Sequence, residues 1–509
     1  MLLPRAQLPG YDQYTVAMRL LLVLATLAAC AVAQAPPLSQ LAERLTANAL
    51  KADVSFLASD ALEGRGTPSS GLDIAAEYVA AEFRRAGLEP AGDDGYFETA
   101  QFARVTPNTD GLELTLETGG QSIKAGKASM ALQEAVPVDH SHVPVTAVTM
   151  NNATALEALR PEQVKDKALL VVLPPGTSYA VTRAIPAAID RLDPAVVILL
   201  RTNGMGPNPN ARLRETSSRA FRVPILAVWD AAIRKAIEAG VPATVTVHIP
   251  APAVSPVKLH NVVGVLRGSD PALKDTYVLL TAHYDHLGVR GTGEGDHIFN
   301  GANDDASGTA SVIEIAGALS ELPRHPRRSI VFIALFGEEL GDLGSRYYAQ
   351  HPIFPLASTV ADVNLEQLGR TDDVEGPRVG MFNLTGFDFT DMAGVFRKAG
   401  AESGIQVVKD EKNSDPFFTR SDNAAFAAAG VPSTTISVSY VYPDYHGAGD
   451  EWPKLDYENM AKVDRAIALA VYAIADSATE PQWNTANPKV EGFVKAREKN
   501  RPRNTNEHE

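Results

Sequence analysis

The stretch TAHYDHLGVRGTGEGDHIFNGANDDASGTA, residues 281–310, concentrates groups that bind metal ions or transfer protons. It contains three histidines and five aspartates or glutamates, with glycines between them. Imidazole and carboxylate ligands without thiolate suit zinc or a similar divalent ion. A polar surface loop is the alternative interpretation, and residues elsewhere in the chain decide between the two.

The other candidates follow apolar runs that have the length and composition of buried strands. His283 ends TYVLLTAH, Glu338 and Glu339 end SIVFIALFGEE, Glu366 ends TVADVNLE, and His446 comes shortly after TTISVSY. Apolar strands that alternate with helical segments predict a mostly parallel sheet covered by helices on both faces. Ligands bind at the carboxyl ends of the strands in such sheets, so we expect these side chains to converge.

Each candidate also has an ordinary interpretation when it is taken alone. Asp304 and Asp305 would cap the helix that begins near Ser307, and a lone loop histidine is usually an ordinary polar residue. Two histidines and three carboxylates at one edge of a sheet instead favour two ions that share a carboxylate. A pair of ions about 3.5–4 Å apart can hold a hydroxide and polarise a carbonyl, so the pattern predicts a hydrolase.

The composition describes a globular chain with more than one folded unit. Its 509 residues exceed what one core usually supports, and 45% apolar against 21% charged residues is typical of a soluble fold. Lysine and arginine total 46 against 61 acidic residues, a net charge of −15, and the sequence has no basic cluster. Nucleic acid is therefore not expected as a partner. The sequence also has no G-x-S-x-G elbow and no H-E-x-x-H helix.

The N-terminal residues predict export. From Met18 the chain reads MRLLLVLATLAACAVAQA, a positive start, a short apolar run and small residues that suit cleavage after Ala33. The only cysteine, Cys30, follows LAA, which resembles a bacterial lipoprotein box. We expect a periplasmic or secreted protein without a membrane span in the mature chain, and a lipid anchor at Cys30 is the alternative.

The fold class predicted from these patterns is α/β, with a mostly parallel, mixed sheet, helices on both faces, and a smaller β-rich domain. We expect disorder after residue 484, because that stretch is charged and poor in apolar residues. The predicted parts are a signal region at 1–33, the first part of the catalytic domain at 34–124, a β-rich insert at 125–250, the catalytic domain proper at 251–480, and a charged tail at 481–509.

Six motifs, in order, resemble those of a known family. HNVVGVLRGSDP, TAHYDHLG, NGANDDASG, ALFGEELGDLGS, VNLEQLGR and YPDYHGAGDEW are similar to the motifs of the zinc exopeptidase family that contains aminopeptidases S and Y, glutamate carboxypeptidase II and glutaminyl cyclase. The resemblance covers most of residues 40–478, and the insert resembles the protease-associated domain of many members. It implies peptide substrates and two zinc ions per chain.

The resemblance implies a role for each ligand candidate. His283 and Glu366 would hold one zinc ion, Glu339 and His446 the other, and Asp304 would bridge the two. Many aminopeptidases of the family have aspartate where this chain has Glu366. The extra methylene moves that carboxylate by about 1.5 Å, close to where the free amine of a substrate is expected.

The same comparison implies roles for three further residues. Asp285 would orient His283, Glu338 would be the general base that takes a proton from the attacking water, and Tyr445 would help to hold the oxyanion. A second departure is Asn423, which stands in RSDNAAF where histidine is common.

Three functions stay open at this point. The first is a two-zinc aminopeptidase, the second a carboxypeptidase or a glutaminyl-cyclase-like enzyme, and the third a non-catalytic receptor-type binding module. A full set of ligands and the base Glu338 favour an enzyme. A carboxypeptidase would need a basic residue for the terminal carboxylate, and Arg370 and Arg420 are the candidates, although either also suits an ion pair. No sequence feature specifies an oligomeric state.

Overall fold

The computed structural model describes residues 38–177, 184–202, 211–217 and 223–501. The predicted signal region with Met18 and Cys30 lies outside these residues, as does the end of the tail, 502–509. Within the described ranges, no helix is long and apolar enough to cross a membrane. The chain forms two compact units. Unit 1 comprises the residues up to Thr99 and from His260 onwards, and unit 2 is Ala100–Leu259.

The described strands follow one another along the chain as β1 (Glu89–Pro90), β2 (Phe97–Thr106), β3 (Glu113–Thr118), β4 (Gln121–Lys124), β5 (Met130–Glu134), β6 (Val138–Thr149), β7 (Ala168–Val172), β8 (Val196–Leu200), β9 (Arg212–Glu215), β10 (Ile225–Val228), β11 (Ala243–Ile249), β12 (Ala253–Leu266), β13 (Tyr277–His283), β14 (Gly288–Val289), β15 (Ile298–Phe299), β16 (Ser329–Leu335), β17 (Thr359–Leu365), β18 (Asp372–Asp373), β19 (Gly376–Pro377), β20 (Met381–Leu384), β21 (Gln406–Val408) and β22 (Ser433–Ser437).

The described α-helices are α1 (Leu38–Arg44), α2 (Ala47–Leu57), α3 (Ser70–Arg85), α4 (Pro161–Val164), α5 (Ala184–Leu192), α6 (Ala231–Glu238), α7 (Ser307–Ser320), α8 (Leu343–Gln350), α9 (Met392–Ser403), α10 (Ser414–Phe417), α11 (Asn423–Ala428), α12 (Tyr457–Asp476) and α13 (Glu491–Asn500). Short turns of helix that matter for the site are Asp60–Arg65, Ala302–Ala306 and Glu338–Leu340.

The sheet of unit 1 is mixed and mostly parallel at its centre. Its strands run in the order β21, β20, β22, β17, β13, β16, β12. β13 is parallel to both β16 and β17, and β17 is parallel to β22, whereas β12 and β20 are antiparallel to their neighbours β16 and β22. The predicted fold class is confirmed, and the carboxyl ends of the four central parallel strands meet at one edge.

The central strands are apolar along their whole length because both of their faces are covered. Every residue of β13, β16 and β17 is buried. The helices α7 and α12 pack against β13, and α11 packs against β17. Polar side chains are therefore expected only where these strands end, since a buried polar group needs a partner.

Unit 2 is built around a separate eight-stranded sheet in the order β4, β3, β11, β6, β7, β8, β10, β5. Strands β6, β7, β8 and β10 are parallel, and the remaining pairs are antiparallel. Alternate residues of β7 and β8 belong to two different buried apolar clusters, so the sheet is covered on both faces. The unit is wider than the predicted 125–250 because β3 and β4 belong to the same sheet. Its resemblance to a protease-associated domain stays a prediction.

The expectation of disorder after residue 484 is wrong for most of the tail. The chain forms α13, and Phe493 and Val494 of this helix pack against a buried cluster that includes Phe418, Trp483 and Val490. Apolar residues at 490, 493 and 494 fall on one helical face, so three of them suffice to anchor an otherwise charged segment.

Candidate metal centre

His283 ends β13 with a fully buried side chain. Its Nδ1 lies 3.1 Å from the main-chain carbonyl oxygen of Asp285 and 3.5 Å from the carboxylate of the same residue. Since a carbonyl oxygen only accepts, Nδ1 carries the proton and Nε2 presents a lone pair. Nε2 lies 3.2 Å from Asp304 Oδ1 and 3.6 Å from Glu366 Oε1.

Asp304 faces two histidines with its two carboxylate oxygens. Oδ1 lies 3.2 Å from His283 Nε2, and Oδ2 lies 3.1 Å from His446 Nε2. The main-chain N–H of Asp304 donates to the carboxylate of Asp450, which fixes the backbone behind it. This side chain therefore spans the two halves of the site.

Asp305, the next residue, has the capping role that the sequence allowed for either aspartate. Its Oδ1 accepts from the N–H of Gly308 in the first turn of α7 and from the N–H of Gln367 after β17, each at 3.0 Å. Asp305 thus joins the start of α7 to the end of β17, which leaves Asp304 free to face the histidines.

Glu338 and Glu339 follow β16 in a short helical turn that begins after Gly337, whose φ of +71° favours glycine. The N–H of Glu338 donates to Asp285 Oδ1 at 3.1 Å, and Glu338 Oε2 lies 4.0 Å from His283 Nε2. Glu339 Oε2 lies 3.4 Å from His446 Nε2. The adjacent glutamates therefore face different halves of the site.

Glu366 and His446 complete the predicted set. The N–H of Glu366 donates to the carbonyl of Ile436 in β22, so the sheet extends to the base of this side chain. The ring of Tyr445 stacks on the ring of His446 at 4.0 Å between centroids. The side chain of His446 is 39% exposed, whereas those of the other four predicted ligands are at most 15% exposed, so the site opens to solvent at His446.

The structure brings all five predicted ligands and Glu338 together at the carboxyl edge of the unit 1 sheet. Two sets of three residues have ligand atoms within 4.8 Å of one another, and these sets are His283, Glu338 and Glu366, and His286, Asp304 and Glu339. His286 was not among the predicted site residues. Its signal was its place in TAHYDH, one residue beyond Asp285.

The residues fit divalent cations. His283 Nε2 and Glu339 Oε1 are buried and have no hydrogen-bond partner among the described residues. His283 Nε2 faces oxygens of Asp304 and Glu366, and a divalent cation between them would be coordinated by the neutral imidazole and by both carboxylates. Imidazole and carboxylate donors without thiolate are a zinc-type set.

Burial and neighbouring charges shift the pKa values of the carboxylates at the site. Burial, and then the charge of Asp304, raises the pKa of Glu339 to about 8. Burial, and then the charges of Glu366 and Asp422, raises the pKa of Glu338 well above its ordinary value. Burial also opposes ionisation of Asp304, but contacts with His283 and His446 lower its pKa overall. Cations held by these side chains would offset the repulsion among the carboxylates.

Two residues of the turn before α3 support the site and were not predicted. Arg65 is fully buried and donates to the main-chain carbonyls of Leu57, Tyr284, Asn300 and Gly301. Thr67 Oγ1 donates to Asp285 Oδ2 at 2.9 Å. An arginine between glycines in ALEGRG was the available signal, but its partners are remote in the sequence.

Three other residues noted in the sequence lie outside the ligand sets. Asn423 is buried, donates to the carbonyl of Phe418 and accepts from Thr435 Oγ1, so its role is structural. Arg370 is 5% exposed and is held by the carboxylates of Asp372 and Asp444 at 2.6 and 2.8 Å. Arg420 lies over the ring of Phe417 at 4.3 Å.

Known proteins resemble this chain in sequence and in fold. It is 26% identical to an aminopeptidase of Bacillus subtilis over 227 residues, 44% of this chain and 46% of that protein. It is 42% identical to a probable zinc metalloprotease of Leptosphaeria maculans over 96 residues, 18% of this chain and 21% of that protein. These matches span less than half the length of either curated relative.

The fold is similar to that of the aminopeptidase from Aneurinibacillus sp. strain AM-1, with a TM-score of 0.54 and 21% identity over 87% of this chain and 97% of that one. Residues 261–471 match peptidase family M28, in agreement with the family resemblance of the six motifs. The matched region contains every predicted ligand and Glu338.

Proposed function

We propose that the chain is an exported two-zinc aminopeptidase that releases N-terminal residues from peptides. The observation that carries the proposal is the position of Asp304 between two imidazoles, 3.2 Å from His283 Nε2 and 3.1 Å from His446 Nε2. One carboxylate with an imidazole on each oxygen is suited to bridging two ions. Similarity to a bacterial aminopeptidase and to probable zinc metalloproteases supports the metal and the reaction class.

Each ion would have three protein ligands and an open position. His283, Glu366 and Asp304 would hold one ion, and Glu339, His446 and Asp304 would hold the other. Three protein ligands per ion are typical of catalytic zinc, which keeps one position for water or substrate. When bound, the two ions would polarise the scissile carbonyl and lower the pKa of the attacking water.

Glu338 would carry the proton. Its main-chain N–H is fixed by Asp285, and its carboxylate faces the first ligand set. Burial, followed by the charge of Glu366, raises its pKa, which makes this carboxylate a better proton acceptor than an exposed glutamate. Glu338 would take a proton from the attacking water and return it to the leaving amine. Tyr445, stacked beside His446, is the proposed donor to the oxyanion.

Charge around the site favours a free amine over a free carboxylate as the substrate terminus. The acidic side chains of Glu338 and Glu366 suit an ammonium group. A carboxypeptidase needs a cation for the terminal carboxylate, but Arg370 already binds Asp372 and Asp444. Recruiting Arg370 would leave two carboxylates without their partner, so we favour the aminopeptidase over the carboxypeptidase.

The test is a panel of aminoacyl anilides and dipeptides, each offered with a free and with an acetylated amine, to metal-repleted protein. We expect turnover of the free-amine substrates, loss of turnover on acetylation, and inactivation by a chelator that zinc reverses. Metal analysis should give two zinc ions per chain. Preference for acetylated peptides with a free carboxyl end would refute the aminopeptidase assignment, and one ion or none would refute the two-zinc site.

Export is part of the proposal and needs its own measurement. The mass of the mature N-terminal peptide separates cleavage after Ala33 from processing at Cys30, and detergent partitioning detects a lipid. We expect release after Ala33, and a diacylglycerol on Cys30 would show an anchored protein instead.

A further inference from the structure

We infer that His286 is a positioning residue for one ion of the proposed two-zinc site, which it serves by holding Glu339. The inference rests on the proposed function and extends it to a histidine that the family resemblance left without a role. His286 is completely buried, and its main-chain N–H donates to the carbonyl of Arg65. The backbone of residue 286 is therefore tied to the turn that ends at Arg65.

The two histidines near Glu339 approach different oxygens of its carboxylate. His286 Nδ1 lies 2.7 Å from Oε1, and His446 Nε2 lies 3.4 Å from Oε2. His446 also reaches Asp304 Oδ2 at 3.1 Å, whereas His286 Nδ1 is 3.9 Å from that oxygen. Oε2 of Glu339 and Oδ2 of Asp304 thus both lie near His446 Nε2, whereas His286 approaches the other oxygen of Glu339.

The ligand atoms of His286 lie within 4.8 Å of those of Asp304 and Glu339, but coordination chemistry favours a role for His286 outside the three proposed ligands Glu339, His446 and Asp304. A fourth protein ligand would close the position that water and substrate need at a catalytic ion. A ligating histidine usually donates its second nitrogen to a carbonyl or carboxylate, as His283 does towards Asp285. Neither ring nitrogen of His286 has a hydrogen-bond partner among the described residues, so Nε2 lacks such a partner and Nδ1 meets Glu339 Oε1 as a close polar contact at 2.7 Å.

The backbone at Gly301 packs closely against the imidazole ring of His286. A Cβ on Gly301 would lie 2.4 Å from Cγ of His286, so the backbone at 301 packs directly against the imidazole. Gly301 has a φ of +59°, and its carbonyl accepts from Arg65. The ring is therefore clamped with Nδ1 towards Glu339, which is an arrangement for orienting a carboxylate.

The experiment measures zinc affinity by competition with a chelator for wild type, His286→Ala and His286→Asn. Loss of an outer partner of a ligand typically weakens metal binding by about 10–100-fold. In the alanine variant we expect one of two zinc ions to be released at about 10–100-fold lower chelator concentration, while the other ion keeps its wild-type affinity. Asparagine offers an amide nitrogen near the position of Nδ1, so it should recover most of the affinity.

Cobalt substitution separates positioning from ligation. The visible spectrum should show unchanged coordination numbers in both variants. His325→Ala is the control, because the nitrogens of its half-buried ring lie near the carbonyls of Arg267 and Ser320, close to the amino end of β16. This control should bind zinc as wild type does.

Each outcome decides the question. Equal affinity of all variants, or equal weakening of both ions, would overturn the inference and make His286 a packing residue. Complete loss of one ion, with asparagine no better than alanine and one fewer cobalt ligand, would make it a ligand. If the alanine variant does not fold without metal, the asparagine variant alone is compared with wild type. Fewer than two ions in wild type would refute the proposed function instead.

Discussion

Replacing Arg65 with methionine tests whether the turn before α3 holds the metal centre in place. Methionine is about as long as arginine but has no donor. The guanidinium donates to four main-chain carbonyls. Those of Tyr284, Asn300 and Gly301 lie at 2.7–3.0 Å, and the fourth is that of Leu57. These carbonyls belong to the two segments that carry His283 and Asp304, so Arg65→Met should loosen both.

The magnitude follows from the number of acceptors left in the interior. An unsatisfied buried polar group costs about 1–3 kcal/mol, so four would cost about 4–12 kcal/mol. Burying the charged guanidinium has a desolvation cost of several kcal/mol, and methionine removes this cost. The same burial lowers the pKa of Arg65 to about 10. A net loss of about 3–5 kcal/mol is expected, which corresponds to a fall in melting temperature of roughly 6–20 °C at about 2–4 °C per kcal/mol.

The assay is thermal and urea unfolding of the metal-free protein, followed by zinc competition with a chelator. Arg370→Met is the matched control. It also removes a nearly buried guanidinium, but it leaves two carboxylates, 55% and 25% exposed, that water can reach. Its loss should be near 1 kcal/mol, as for a partly exposed ion pair. If Arg65→Met costs no more than this control, or leaves zinc affinity unchanged, the argument from buried carbonyls is refuted.

Three further predictions concern separate parts of unit 1. Glu338→Gln should keep both zinc ions and lower kcat by at least about a hundredfold, whereas Glu339→Gln should weaken zinc binding. Metal analysis and steady-state kinetics measure both effects. Identical behaviour of the two variants would refute their separate roles. Burial, and then the charge of Glu314, raises the pKa of Asp53 to about 8, above its value in the unfolded chain. The free energy of unfolding should therefore fall as the pH rises from about 4 to 8. Asp53→Asn should reduce this fall, as measured by urea midpoints at pH 5 and pH 8. Phe493→Ala should lower the free energy of unfolding by about 2 kcal/mol, less than the loss of a fully buried phenylalanine would, because Phe493 is only partly buried. It should also speed proteolysis after residue 484. An unchanged digestion pattern would show that this contact does not hold α13.

The central sheet, and the edge of it at which the functional side chains lie, could be predicted from the printed residues. Continuous apolar runs such as those of β13, β16 and β17 are typical of strands covered on both faces, and helices between such strands indicate that neighbouring strands are parallel. Parallel strands end at the same edge. The polar residues that close each run, His283, Glu339 and Glu366 among them, were therefore predicted to meet, and they do.

The role of each polar side chain at that edge depends on contacts that form only in the folded chain. Asp304 and Asp305 are adjacent and chemically identical, yet one faces two histidines and the other caps α7 and binds the end of β17. Arg65 and His286 acquire their partners from segments that are far away in the chain or that turn back after a strand. Periodicity reports which face of an element is buried, but the direction of a side chain beyond the strand end depends on loop dihedral angles and on contacts with remote backbone, which no local pattern encodes.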